Sequence, residues 1–215
     1  MRIHYPLAIL AMSLVIIASN YLVQFPVQAK IYSIDLAQIL TWGAFTYPIA
    51  FLVTDLTNRY FGAPKARIVV LVGFAIAVFW SIFLASPRIA IASGSAFLVA
   101  QFLDISIFNK IRLKGLKGMK GWWHAPLISS LIGSIFDTIL FFGIAFSSKF
   151  AFLDTIFGQS DSSLPFATPL LSVGFDVPLW VSLGVGDFII KIIVAGLLLL
   201  PYFLMQKRPL IKTKF

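Results

Sequence analysis

The chain contains no cysteine and no glutamate, only two histidines, and few charges: 12% of its 215 residues are Asp, Glu, Lys or Arg. The missing cysteine excludes disulfide scaffolds, thiolate metal sites, iron–sulfur clusters and cysteine nucleophiles together. No H-E-x-x-H, G-x-S-x-G or Walker A run occurs, so intramembrane zinc hydrolysis and direct ATP hydrolysis lack their parts. The GVGD run at 184–187 spells the G-x-G-D of an intramembrane aspartic protease, but no Y-D partner accompanies it. His4 and His124 stand far apart. The chain reads as a non-enzyme with no cofactor and no metal.

What is present is apolar. With 60% hydrophobic residues and a mean hydropathy of +0.96, the composition departs from the roughly 45–50% apolar, about 25% charged soluble domain. A hydrocarbon core of about 30 Å needs about 20 apolar residues as helix, and six runs qualify, at about 7–25, 36–56, 68–87, 89–109, 125–146 and 179–204. They are continuous, unlike the short alternating segments of a membrane β-barrel. The first run is long and no A-x-A-like site follows it, so it reads as a span rather than a signal peptide. The fold class expected is all-α: a polytopic membrane protein, six transmembrane helices in one bundle, a single domain over 1–215.

The net charge of +9 would suggest nucleic acid in a soluble protein. Here it reports orientation. Six spans put thirteen basic residues on one side, including Arg59, Lys65, Arg67, the 110–120 loop and the tail, against Lys30, Arg88 and Lys149 on the other. The positive-inside rule places both termini in the cytoplasm. The basic 4–5 loop, KIRLKGLKGMKG, reads as a topology-fixing connector at anionic headgroups rather than a nucleic-acid patch. Trp122, Trp123 and Trp180 suit the interfacial aromatic belts. The long 5–6 loop, 147–178, reads equally as a lid or a solvated outer connection.

Polar groups held in the membrane mark function, since each must be satisfied or used. Along helices rising about 1.5 Å per residue, Asn20, Asp137 and Asp187 fall ~10–12 Å below the outer face, with Lys191 and Gln101 nearer ~18 Å. Trp180, Gly184, Asp187 and Lys191 share one stripe of span six, and Ser130, Ser134 and Asp137 one face of span five. Ser13, Asn20 and Gln24 share a face of span one, and Gln101 and Asp104 lie one turn apart in span four. Pro48 interrupts span two after Trp42 and Thr46, allowing a kink. Asp187 and Lys191 at i, i+4 can simply neutralise one another, and Asp55 has Arg59 at the same spacing. The serines and the ASGSA run at 92–96 can serve close helix packing. Asp137 has no basic neighbour in its own helix, so it needs a partner, a proton or a ligand.

Several stretches resemble the bacterial queuosine precursor transporter family, also called vitamin-uptake-like: SNYLVQFPV at 19–27, TWGAFTYPIAFLVTDLTNRYFGAPKAR at 41–67, QFLDISIFNKIR at 101–112, WWHAPLISSLIGSIFDTILFFGIAF at 122–146, and GDFIIKIIV at 186–194 with LPY at 200–202. The resemblance implies inner-membrane uptake of 7-cyano-7-deazaguanine or its aminomethyl relative, and a fold similar to the substrate-binding subunits of energy-coupling-factor importers. Those subunits dock an energising partner through A-x-x-x-A spacing in span one. Here 8–12 reads AILAM, so no energising partner is expected, and the partners are the small-molecule base and the lipid bilayer; homo-oligomerisation stays open. For such a flat base, Asp137 or Asp187 would accept its paired N–H donors. Lys191, Asn20 or Gln101 would donate to its carbonyl, with Asp104 beside Gln101. Trp42, Phe45 or Trp180 would supply a stacking face. A binding subunit for another vitamin-like heterocycle, or a non-catalytic subunit docking a protein partner, remains the alternative.

Overall fold

The computed structural model describes residues 5–23, 25–32, 34–84, 87–114, 121–157, 167–172 and 174–206. His4, Gln24, part of the 147–178 loop, most of the basic 4–5 loop and the tail, on which expectations rest, lie outside the described residues.

Long helices dominate: α1 (Tyr5–Leu22), α4 (Ala63–Leu84), α5 (Pro87–Lys114), α6 (His124–Phe146) and α8 (Leu179–Gln206). These five are long and apolar enough to cross a membrane, over Tyr5–Leu22, Ala63–Ser81, Pro87–Leu113, His124–Phe146 and Leu179–Gln206. The chain is a polytopic membrane protein. α4 starts ahead of residue 68 and α5 runs past 109, since the long stems of Lys65, Arg67, Lys110 and Arg112 let a helix continue into the headgroup layer.

Residues 36–56, expected as one span, are not one helix. A short hairpin pairs β1 (Lys30–Ile31) with β2 (Ile34–Asp35). The Asp35 carboxylate then accepts from the Ala37 amide at 3.1 Å, starting a 3-10 turn over Leu36–Gln38, and Thr41 bridges back to Pro26. Helix begins at α2 (Gly43–Thr46), breaks at Tyr47–Pro48 and resumes as α3 (Ile49–Phe61). Two local effects defeat the apolar run: an aspartate that caps a tighter turn, and a proline that has no amide to give the ladder. Gly62 ends α3 at φ +82°, a conformation that a side chain would strain.

The helices pack through small residues and turn apolar ones outward. In α8 the buried stripe is Ser182, Gly184, Gly186, Asp187, Lys191 and Tyr202, whereas Ile189, Ile193, Leu197, Leu200 and Leu204 are exposed. That is the inverse of a soluble amphipathic helix and suits a lipid-facing surface around a polar interior. α6 lies closely along α5: a Cβ on Gly133 would meet the Phe51 ring at 2.8 Å and the Ala100 carbonyl at 3.2 Å. A Cβ on Gly186 would stand 2.9 Å from the Ile39 carbonyl, so bare backbone lets the 36–42 segment rest on α8. One apolar cluster joins Met12 and Ile16 to Val69, Val70 and Phe97, and a second joins Leu56, Phe108, Ile111 and Tyr202.

The connection after α6 is anchored. A short α7 (Phe152–Ile156) carries Asp154, which pairs with Arg88 of α5 at 2.8 Å, both buried. The hairpin β3 (Ala167–Pro169) with β4 (Asp176–Pro178) is followed directly by α8, whose Ser182 hydroxyl accepts from the Leu171 amide at 3.0 Å.

Candidate functional site

Lys191, on α8, is buried, and a buried ammonium needs acceptors to replace water. It donates to the Asp137 carboxylate of α6 at 2.6 Å, to the Asp187 carboxylate one turn back at 2.5 Å, and to the Thr138 hydroxyl at 3.2 Å. Thr138 in turn donates to Asp187 at 2.9 Å. The Tyr47 hydroxyl donates to the other oxygen of Asp137 at 2.8 Å, and the Lys191 ammonium lies 5.3 Å from the Tyr47 ring centroid. The partner that Asp137 requires is therefore a lysine shared between two aspartates on neighbouring helices. Gly184 makes the approach: a Cβ there would sit 3.3 Å from the Thr138 methyl. The break in the helical hydrogen-bond ladder at Pro48 lies beside this site: Tyr47, between α2 and α3 and still helical in its backbone angles, places its hydroxyl on Asp137.

This triad borders a cavity of about 400 Å³, within the roughly 300–1,000 Å³ range of small-molecule sites. Asn20 of α1 lines it, as do Ser93 and Ala96 of α5 and Phe141, Phe142 and Phe146 of α6. Ile39 and Leu40, from the segment that failed to continue as helix, line it as well. Phe142 and Phe146 stack at 24° with centroids 5.9 Å apart. Among the described residues, one oxygen of Asp187 (Oδ2) takes both Thr138 and Lys191, leaving Oδ1 without a protein donor. A polar floor of two carboxylates and one ammonium under aromatic walls can bind a flat heterocycle that carries both donors and acceptors.

Of the residues singled out in the sequence, Asn20, Asp137, Asp187 and Lys191 border this cavity. Trp42, Phe45, Trp180, Gln101 and Asp104 do not. Trp42 is half-exposed and packs on Phe45 at 5.7 Å, and Trp180 is half-buried. Gln101 accepts from the Thr54 hydroxyl at 2.5 Å. Asp104 belongs to a separate buried cluster with Asp55, Ser129 and Ser130, and among the described residues Asp55 makes no ion pair with Arg59. Sequence reasoning missed Tyr47, Thr138 and the three phenylalanines. The available signal was helical spacing: Phe141 and Phe142 follow Asp137 and Thr138 at i+4, on the same faces. Among the described residues, no group of three His, Cys, Asp or Glu side chains could hold a metal ion.

The chain matches the protein family described as "Putative vitamin uptake transporter" over residues 41–85 and 77–205. It is 39% identical to the "Queuosine precursor transporter" of Escherichia coli K12, over 62% of this chain and 64% of that protein. It is 33% identical to the "Probable queuosine precursor transporter" of Haemophilus influenzae, over 88% of this chain and 80% of that one. A Bacillus subtilis protein of the same description is 26% identical over 49% of this chain and 56% of its own length. The match to the first relative thus spans just under two thirds of that protein. No solved structure matches the chain.

Proposed function

The chain belongs to the vitamin uptake transporter family, a family of transporters and not of enzymes, and from that premise we propose that it takes up a queuosine precursor, 7-cyano-7-deazaguanine or its aminomethyl relative, across the bacterial inner membrane. The relatives' names supply the substrate class. The observation that carries the reading for this chain is the Asp137–Lys191–Asp187 triad bordering a cavity of about 400 Å³. Asp187 accepts the adjacent N–H donors of the base's Watson–Crick edge, and the Lys191 ammonium or Asn20 donates to its ring carbonyl. Phe141 and Phe142 supply the apolar faces against which the flat ring stacks.

In this reading α2 and α3 together form the sixth crossing, broken at Pro48, so that six spans leave both termini in the cytoplasm as the basic residues require. Broken helices at a mid-membrane site are a recurring device of transporters, because hinge points let one part of the bundle rock while the site stays assembled. The 36–42 segment and the Arg88-anchored α7 cover the outer side. The test is direct binding: purified protein titrated calorimetrically with both deazaguanine precursors, guanine and two unrelated vitamins. Saturable binding of a deazaguanine that Asp187→Asn abolishes is the expected result. Tighter binding of an unrelated vitamin would move the substrate assignment and leave the cavity standing.

A further inference from the structure

One layer further from the outer face lies a second polar cluster that substrate binding does not use. Asp55 of α3 and Asp104 of α5 are 2% and 0% exposed. Both carboxylates reach the same hydroxyl, that of Ser130. Ser130 of α6 bridges them, with its hydroxyl 3.4 Å from an oxygen of each, and the Ser129 hydroxyl lies 3.5 Å from Asp55. These contacts are long for O–H···O bonds, and the second oxygen of Asp104 has no partner among the described residues.

Among the described residues, the charged and titratable groups around the pair are Arg59, Arg112, Lys191 and Tyr202. Arg59, one turn beyond Asp55, lies over the Tyr202 ring at 6.0 Å, and Arg112 of α5 donates to the Arg59 carbonyl at 3.2 Å. Neither forms an ion pair with the carboxylates among the described residues, and Lys191 is committed to the outer triad. Tyr202 of α8 is 1% exposed, its hydroxyl has no hydrogen-bond partner among the described residues, and with Asp55, Ser130 and Ser134 it lines a small cavity of about 20 Å³. That is room for about one water molecule. Two ionised carboxylates here would repel each other and forfeit their hydration, with no ion-paired cation among the described residues to offset either cost. One proton bridging the pair removes the repulsion and supplies the missing donor.

We propose that Asp55 and Asp104 together hold a single exchangeable proton and that this proton is the coupling ion of uptake. The step is a proton transfer alone: on loading, a hydronium ion from the outer side gives up its proton, its O–H bond breaking as one forms at a carboxylate oxygen, and on release that O–H bond breaks as the proton passes to water at the inner side. The connection to the substrate layer is physical. Ser130, Ser134 and Asp137 lie on one buried face of α6, running from the carboxylate pair to the triad, and Tyr202 rides on the same helix as Asp187 and Lys191. A rearrangement of α6 or α8 on substrate binding therefore reaches both layers. The coupling role rests on the transporter reading; the proton site itself does not.

The experiment has two arms, with Asp104→Asn and Asp55→Asn as alternative isosteric variants. In the first, infrared spectra of purified protein without substrate are expected to show the carbonyl stretch of a protonated carboxylic acid that either variant loses. In the second, proteoliposomes are given labelled 7-cyano-7-deazaguanine from outside, and a set preloaded with the unlabelled compound reports exchange. The wild type is expected to accumulate it against a gradient when the outside is acid. The variants are expected to exchange it at the wild-type rate, yet fail to accumulate it. An acid band that survives in both variants, unimpaired accumulation by either, or accumulation that follows a sodium gradient at equal pH would overturn the proposal. A wild type that exchanges no deazaguanine but shows the variant-sensitive band supports the proton site and sinks the substrate reading instead.

Discussion

Replacing Lys191 by methionine removes the ammonium and keeps most of the side chain's volume. Two carboxylates that each lie within 2.6 Å of that nitrogen are then left facing one another in a site where all three residues are under a tenth exposed. Removing one partner of a buried ion pair costs about 3–5 kcal/mol, because the remaining charge keeps its desolvation penalty without its offset. For a chain of this size, about 2–4 °C of midpoint per kcal/mol makes the expected loss about 6–20 °C. The five tryptophans give an intrinsic fluorescence readout of thermal unfolding in detergent. Adding Asp187→Asn to Lys191→Met removes one of the stranded charges and should restore part of that loss, while uptake stays absent in both. Such a split separates the triad's structural duty from its binding duty. A Lys191→Met protein as stable as the wild type, or a double variant that recovers uptake, would refute the reasoning.

Tyr47→Phe deletes the hydroxyl that donates to Asp137 at 2.8 Å and should weaken ligand binding about 10- to 150-fold by calorimetric titration, the worth of the roughly 1.5–3 kcal/mol that a hydrogen bond to a charged group carries. Phe142→Ala should weaken binding by about 1–3 kcal/mol if its ring stacks on the base, whereas Trp42→Ala, at a half-exposed position off the cavity, should leave the affinity unchanged. Gly186→Ala puts a methyl 2.9 Å from the Ile39 carbonyl, and should cost about 1–3 kcal/mol of stability as the 36–42 segment is pushed off α8. Arg88→Met strands Asp154, buried opposite it at 2.8 Å, so the 147–157 stretch should become an early site of limited proteolysis while the helices resist.

How much of this was legible in the sequence follows from how far each signal travels. A crossing helix declares itself over some twenty residues, and α1, α4, α5, α6 and α8 could be placed from hydropathy alone. The 36–56 run shows the opposite. Its hydropathy is that of a span, but the conformation turns on Asp35 and Pro48, single residues whose effect is local hydrogen bonding rather than composition. Asp137, Asp187 and Lys191 stood out because ionisable groups in a membrane are rare. Their convergence on one nitrogen did not, because it requires the α6–α8 contact at Gly184. The stacking face was expected at Trp42, Phe45 or Trp180, and two of these three are tryptophans, which are scarce. Phenylalanine is abundant here, with 22 residues, so nothing in composition separates Phe142 from rings that face lipid.

The broken span and the triad depend on each other. Had 36–56 run as a continuous helix, no turn would bring Ile39 and Leu40 over the cavity, and the close approach of the Ile39 carbonyl to Gly186 would be lost. With the turn in place, the chain re-enters the bundle as α2, and Tyr47, just before the ladder break at Pro48, reaches Asp137. The same residue, Pro48, lines the small cavity beside Asp55, so the break between α2 and α3 borders both polar layers. A change of angle there alters the Tyr47–Asp137 contact and the surroundings of Asp55 in one movement. A Pro48→Ala variant tests that link. It returns an amide to the ladder and straightens the joint, so binding in the outer layer and proton-driven accumulation should fall together, with the midpoint of unfolding unchanged or raised. Loss of one without the other would mean that the two layers move independently.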